Sequence, residues 1–447
     1  MKRILIIFLL VSGIAAQAQD KKSFSLEEAI AFALDNNRTA INARRDIAIA
    51  IKQKWETTAS GLPQINGVID YQNQLKQPTV FIPAEFSGGE PGTFTPVVFG
   101  TSQNASATAT LTQLIFDGSY LVGLQAAKAF LDFSENANEK TKLEVRKGVI
   151  NAYGSVLITQ ENIAILESNI ATVKKNLDET RIIFENGLAE EEDVEQLQIT
   201  YSQLLNQKLN AERLEDIAIQ MLNLAIGVDI ATETQLTDTL TSLAQPGLGL
   251  FQENPEIEKN VDYKIALNLT EQRSLELKLE RSKALPSLRG FINVSTTAGR
   301  NEFNFFDSDE RYFAASIFGL TLDVPLFSSG ARNARTQKAK IALEQAETDF
   351  DYTQEQIRLA YEQAKSQHQL AIDNLEVSTN NLKLAERIER KNQIKFQEGI
   401  ASSFELRQAQ TQLYTAQNTV LQSLLDMITS KAELETVLNT PDYRGKE

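Results

Sequence analysis

His368 is the one histidine in 447 residues, and there is no cysteine. Those two counts remove thiolate metal sites, cysteine nucleophiles, disulfides and an acylated N-terminal cysteine, and leave no second imidazole for a zinc site. His368 stands in a row spaced by fours and threes, Ile357, Tyr361, Ala364, His368, Ala371, Leu375, Ser378, Leu382, which predicts a packing role for its ring. The dense carboxylate run Glu190-Glu191-Glu192-Asp193 has the composition of a hard-cation site. It opens a helical stretch, however, where carboxylates favour the helix dipole and cap free N–H groups. No phosphate-binding loop or nucleophile elbow occurs. Neither an enzyme nor a cofactor-binding or metal-binding protein is expected.

Lysine and arginine number 44 against 59 aspartates and glutamates, for a net charge of −15. So acidic a chain is a poor partner for nucleic acid. Lys2 and Arg3 precede the apolar run Ile4 to Val11 and the small-residue stretch Ala15-Ala16-Gln17-Ala18, the pattern of a secretory signal peptide over residues 1–18. That run is too short to span a membrane. No later segment is apolar enough for a membrane helix either, but a membrane β-barrel leaves no such trace.

The two halves of the chain resemble each other. Phe184-Glu185-Asn186-Gly187-Leu188-Ala189 matches Phe396-Gln397-Glu398-Gly399-Ile400-Ala401 at an offset of 212. At the same offset Gln196 and Gln198 meet Gln408 and Gln410, and Ala127-Lys128 meets Ala339-Lys340. Upstream, Gly61-Leu62-Pro63-Gln64 resembles Ala284-Leu285-Pro286-Ser287. The period is too long for a solenoid. It predicts two copies of one unit: helix, strand, loop, strand, very long helix, glycine turn, helix. Residues 119–186 and 331–397 lack proline and would each form a helix of roughly 100 Å. Leu406, Ala409, Leu413, Ala416, Val420, Ser423 and Met427 continue a coiled-coil seam after the second turn, rich in small residues. The returning helices, 190–226 and 402–439, are little over half that length. The helices Leu26 to Ser60 and Glu256 to Ala284 have about the missing length. On the helices alone, an ordinary coiled-coil rod would also fit.

Four strands are expected at 62–72, 104–116, 285–298 and 312–327, with exposed loops at 73–103 and 299–311. In Ala105-Ser106-Ala107-Thr108-Ala109-Thr110-Leu111-Thr112 apolar and hydroxyl residues alternate strictly, which gives one apolar and one polar face. The other three strands alternate less cleanly. Such strands suit an outer-membrane barrel, but four cannot close one, so the chain would have to share a barrel with other copies. A soluble four-stranded sheet capping a helical bundle is the alternative.

Ser25-Leu26-Glu27-Glu28-Ala29 with Asn36-Asn37, the two Leu-Pro strand entries, the Phe327 to Gly330 strand exit (shortened to Phe116-Asp117-Gly118 in the first copy) and the two glycine tips stand in one order along residues 24–439. In that order they resemble the TolC-like outer membrane efflux protein family. The resemblance implies a mainly α chain with a membrane β-barrel: a homotrimer with twelve shared strands and a long helical barrel, set in the Gram-negative outer membrane and reaching into the periplasm. It implies a passive exit duct of a tripartite efflux or type I secretion system, working with a periplasmic adaptor and an inner-membrane pump. The helix tips around Gly187, Leu188, Gly399 and Ile400 would dock the adaptor, and residues 228–255 would form an equatorial linker. The family's entrance carboxylates fall on Glu405 and on Gln408, a departure, with Asp193 the equivalent of Glu405 in the first copy. A basic residue that some members carry after the tip glycine is here Ala401, a second departure. A periplasmic coiled-coil adaptor or structural protein remains the other reading, and the cargo is not legible.

If residues 1–18 are a cleaved leader, intact-mass analysis of the membrane-extracted protein should find a chain starting near Gln19 with no attached lipid. A chain still starting at Met1 would remove the export argument.

Overall fold

The computed structural model describes residues 22–244, 251, 255–307 and 311–439. The leader 1–18 and the tail 440–447 lie outside the described residues, as does part of the 228–255 linker. The described elements, in chain order, are β1 (Lys22–Phe24), α1 (Leu26–Asn36), α2 (Arg38–Ala59), β2 (Gln64–Asn73), β3 (Thr79–Pro83), β4 (Phe94–Val98), β5 (Gln103–Phe116), α3 (Gly118–Glu185), α4 (Glu191–Ile226), β6 (Thr234–Leu236), α5 (Leu240–Leu243), α6 (Val261–Ser282), β7 (Ser287–Arg300), β8 (Phe313–Asp323), α7 (Ala331–Gln397) and α8 (Ser403–Leu438). The chain divides into two compact units. One comprises Met1–Ala48, Phe133–Leu267 and Thr348–Glu447, the other Ile49–Asp132 and Asn268–Glu347.

The first unit is helical. Its main core gathers Val149, Ile150, Tyr153 and Val156 of α3, Leu222 and Ile226 of α4, Ala29, Ile30 and Ala33 of α1, and Leu421 and Ile428 of α8. In α7, Ile357, Tyr361, Ala364, His368, Ala371 and Ser378 are buried, and in α8 so are Leu406, Ala409, Ser423 and Met427. The three-four spacing therefore marks the inner stripe of both helices.

Asn37 explains the Asn36-Asn37 pair. It ends α1 in extended backbone, and its Oδ1 accepts the N–H of Thr39 at 2.8 Å, starting α2. Its Nδ2 donates to the Ala225 carbonyl at 2.8 Å, tying the break to the last turn of α4. That helix ends at Gly227 with φ +87°, where a Cβ would lie 2.4 Å from the Asn36 carbonyl oxygen. Only glycine fits. Asn260 repeats the device: its Oδ1 accepts the Asp262 N–H at 2.8 Å and its Nδ2 donates to the Val437 carbonyl of α8 at 2.7 Å.

The described part of the 228–255 linker contains two short regular elements. β6 pairs in parallel with β1, and α5 follows under a Thr239 cap. Asp238 accepts the Leu26 N–H at 2.7 Å, and its Oδ2 lies 3.0 Å from the buried Tyr153 hydroxyl. Burial raises the pKa of that phenol.

The second unit holds a four-stranded antiparallel sheet of order β2-β5-β7-β8. Opposed residues share a face. One face carries Ile65 and Ile69, Leu111 and Ala107, Ile292 and Val294, Phe318 and Leu320. The other carries Asn66 and Asp70, Ser106, Thr108 and Thr110, Asn293 and Ser295. On that polar face Asn293 Nδ2 donates to Thr110 Oγ1 at 2.9 Å. β8 weakens the contrast by adding Phe313 and Ile317 to it. The apolar face is bare in the single chain: Ile69 is 85% exposed and Phe318 72%.

The segment 73–103, expected as a loop, contains an antiparallel hairpin of β3 and β4, with register Thr79↔Val98 to Pro83↔Phe94. Pro83, Pro96 and the positive-φ glycines Gly88 and Gly92 mask its short apolar runs in the sequence.

Arg146 of α3 and Glu435 of α8 form an ion pair with both side chains almost fully buried. Breaking such a pair strands a charge, whereas replacing both partners by apolar groups of similar size is often neutral. Glu435→Leu should therefore cost about 3–5 kcal/mol in denaturant titrations, with most of it recovered in the double variant Arg146→Met/Glu435→Leu. Equal losses in the single and double variants would show that the pair is not coupled.

Candidate functional site: the two helix tips

Both tips lie in the helical unit. At the first, α3 stops at Glu185 and Gly187 adopts φ +76°. The Gly187 N–H donates to the Phe184 carbonyl at 2.8 Å and the Leu188 N–H to the Ile183 carbonyl at 3.1 Å, a left-handed cap that satisfies the last carbonyls of the helix. At the second, Gly399 has φ +70°, and the N–H groups of Ile400 and Ala401 both donate to the Lys395 carbonyl, at 2.8 and 3.1 Å. The glycines thus turn the chain within a few residues, and what they present is apolar: Leu188 is 81% exposed and Ile400 76%.

The helices leaving the tips start differently. α8 opens on a reciprocal box in which Ser402 Oγ accepts the Glu405 N–H at 3.3 Å and Glu405 Oε2 accepts the Ser402 N–H at 3.0 Å. Glu405, placed at the entrance by resemblance, is exposed and has one carboxylate oxygen engaged in this cap. α4 opens at Glu190 with no side-chain cap, and Glu191, Glu192 and Asp193 fill its first turn. Asp193 is half-exposed, and Glu192 Oε1 accepts from Gln196 Nε2 at 2.8 Å.

Gln408 is exposed and lines a groove of about 1010 Å³ between α7 and α8, with Asn381, Ile388, Phe404, Arg407 and Thr411. The Arg407 guanidinium lies 5.4 Å from the Phe404 ring centre, a cation–π contact. Three further features have no clear signal in the sequence. Ser403 Oγ donates to Gln196 Oε1 at 3.3 Å, and Asn169 Nδ2 to Gln417 Oε1 at 2.9 Å, so on the tip side neutral polar bonds join the α3/α4 hairpin to α8. Tyr414 of α8 packs on the cluster of Leu166, Val173, Leu204 and Ala211. Beside it, burial raises the pKa of the Glu389 carboxyl, with Arg390 and Gln410 opposing. The Tyr414 phenol is raised too, first by burial and then by Glu389. Gln196 and Gln410 show in the sequence only as residues aligned between the two halves.

His368 is fully buried, with Nδ1 2.9 Å from Ser430 Oγ and its ring 5.7 Å from that of Phe251. Its pKa is lowered, by burial first and then by Lys431. Among the described residues no group of three or more His, Cys, Asp or Glu could hold a metal ion. None of the described helices is long and apolar enough to cross a membrane.

The sequence matches the outer membrane efflux protein family over residues 30–228 and 266–440. The alkaline protease secretion protein AprF of Pseudomonas aeruginosa is 23% identical over 339 residues, 73% of this chain and 68% of its own. The outer membrane protein TolC of Vibrio cholerae is 24% identical over 350 residues, 75% of this chain and 76% of its own. Among solved structures, VceC of Vibrio cholerae superposes with a TM-score of 0.73 at 15% identity, covering 92% of this chain and 95% of that one. CusC superposes with a TM-score of 0.75 at 16% identity, covering 93% and 92%. The fold is the one these channels share, the family match spans both halves of the chain, and the protein belongs to the outer membrane efflux protein family, whose members are outer-membrane channels and not enzymes.

Proposed function

We propose that the chain is one third of a trimeric duct through the outer membrane, an exit channel of a tripartite efflux or type I secretion system. The observation that carries this reading is the sheet with faces of opposite polarity and two open edges, at β2 and β8. In lipid an open edge leaves backbone groups without partners, so a spanning sheet has to close. Successive strands alternate in direction, so β8 of one copy runs antiparallel to β2 of the next. Three copies give twelve strands, an even number of antiparallel strands. The exposed Ile65, Ile69, Ile292 and Phe318 then face lipid, and the Ser, Thr and Asn rows face water. A soluble adaptor has no use for such a sheet.

In this reading the tips are the periplasmic entrance. Leu188 and Ile400 offer an apolar surface beside Gly187 and Gly399 for a periplasmic adaptor, which couples the duct to an inner-membrane pump. Glu405 repeats three times around the entrance and favours cations. The nearby Gln408 carries no charge, and with Ala401 in place of a basic residue, closure rests on other contacts. Ser403–Gln196 and Asn169–Gln417 are the candidates for them. Opening then requires a partner that binds the open form better.

Arginine at Ala107, on the apolar face, should cost about 2–4 kcal/mol near the bilayer midplane, whereas arginine at Thr108 should cost much less. Trimer yield in outer-membrane extracts reads this; equal yields would remove the barrel or its register. At the entrance, glutamine keeps the capping box and deletes the charge, because Gln serves in that position as Glu does. Glu405→Gln should therefore weaken cation selectivity and block by multivalent cations in planar bilayers while trimers still form, and Asp193→Asn should do less. A stronger effect from Asp193→Asn would exchange the roles of the two tips.

A further inference from the structure

We infer that Asp70 makes the loop end of the duct selective for cationic cargo. The inference rests on the shared-barrel reading above, which makes the polar face of the sheet the lining of a lumen. On that face the strands carry three charged side chains, as the register shows: Asp70 of β2, Arg289 of β7 and Asp323 of β8, with none on β5. Arg289 and Asp323 are diagonal neighbours at the helix end, where Arg289 faces Thr321 and Ser287 faces Asp323, so opposite charges stand on adjacent strands there, and Arg289 also acts on the Asp117 carboxylate, where, against the effect of burial, it helps lower the pKa. Asp70 stands at the other end in the row Asp70, Ser106, Thr297, Phe313, and the next rows inward contain no cation.

Asp70 lines a hollow of about 290 Å³ together with Gln72, Asn104, Ser106 and Thr297, all uncharged and all able to hydrogen-bond. The connections that leave this end add to its sign. Their described residues include the carboxylates Glu85, Glu90, Glu302 and Asp307 against Lys76 and Arg311. Three copies would set three Asp70 carboxylates around one axis, the arrangement by which rings of acidic side chains favour cations.

The expected size follows from screening. Three unit charges about 10 Å from the axis, in water at about 0.1 M salt, shift the cation-to-anion ratio about two- to fourfold, with less effect at about 1 M. The test uses the full-length protein in planar bilayers, with zero-current potentials read across a potassium chloride gradient. Asp70→Asn should lower the potassium-to-chloride permeability ratio by that factor, and Asp70→Lys should lower it further. The change should fade at high salt and persist in a Glu405→Gln background. Asp323→Asn, with the opposite charge of Arg289 on the adjacent strand, should change the ratio less. An unchanged ratio in both Asp70 variants, or an equal change from Asp323→Asn, would overturn the inference while leaving the barrel intact. A wild-type protein that forms no conducting pore would overturn the barrel reading, and the inference with it.

Discussion

A sheet that is apolar on one side and polar on the other needs two different solvents, and an edge left open in hydrocarbon needs a partner strand. Each requirement fixes something. In the proposed barrel the two faces decide which side chains meet lipid, and the two edges call for further copies. β5 and β7, the inner strands, already pair on both sides, over 10 residues with β2, 13 with each other and 11 with β8. Within this sheet β2 and β8 have hydrogen-bonding capacity left over. In a soluble protein, edges of this length would be shielded by charge or proline, yet β2 and β8 carry one carboxylate each and no proline. Pairing with another copy, as proposed above, would supply that shield.

The helical unit answers a different demand. Very long helices cannot be held by one central core, so the seam is small: Ala364, Ala371, Ser378, Ala409 and Ser423 permit close approach along the whole contact. Precision comes from polar clamps at the joints, Asn37 on Ala225 and Asn260 on Val437, each starting one helix and tying off another. Burial of an asparagine is tolerated there because its amide has designated partners.

The two periods of the chain were legible before any coordinates. The three-four rows of α7 and α8 fall on the buried stripe, and the strict alternation in β5 falls on its two faces. These signals are dense because each element repeats them many times. The β3/β4 hairpin was not legible, since five-residue strands that each contain a proline carry too few periods to outweigh the turn residues around them. At the tips the glycines could be read because only φ above zero explains them there. Ser402 and Glu405 have the spacing of a capping box, so the cap was present in the sequence beside the entrance role that resemblance assigned. The Ser403–Gln196 and Asn169–Gln417 bonds join residues more than 200 positions apart, and no local pattern encodes such a pairing.

The distribution of these contacts also says where the helical unit can move. Around Tyr153 the core draws on α1, α3, α4 and α8 and is joined by the buried Arg146–Glu435 pair, so opening there would expose apolar surface and strand a charge. Near the tips the α3/α4 hairpin meets α8 through the Tyr414 cluster and two neutral hydrogen bonds, each worth about 0.5–1.5 kcal/mol net. Local opening free energies follow such differences in buried contact. A docking partner that binds the separated tips a few kcal/mol better than the joined ones is therefore enough to shift the population. The same partner would have no purchase on the core. In the proposed duct, opening would therefore start at the end of the helices where the sequence has placed its glycine turns, its exposed Leu188 and Ile400, and its least costly bonds.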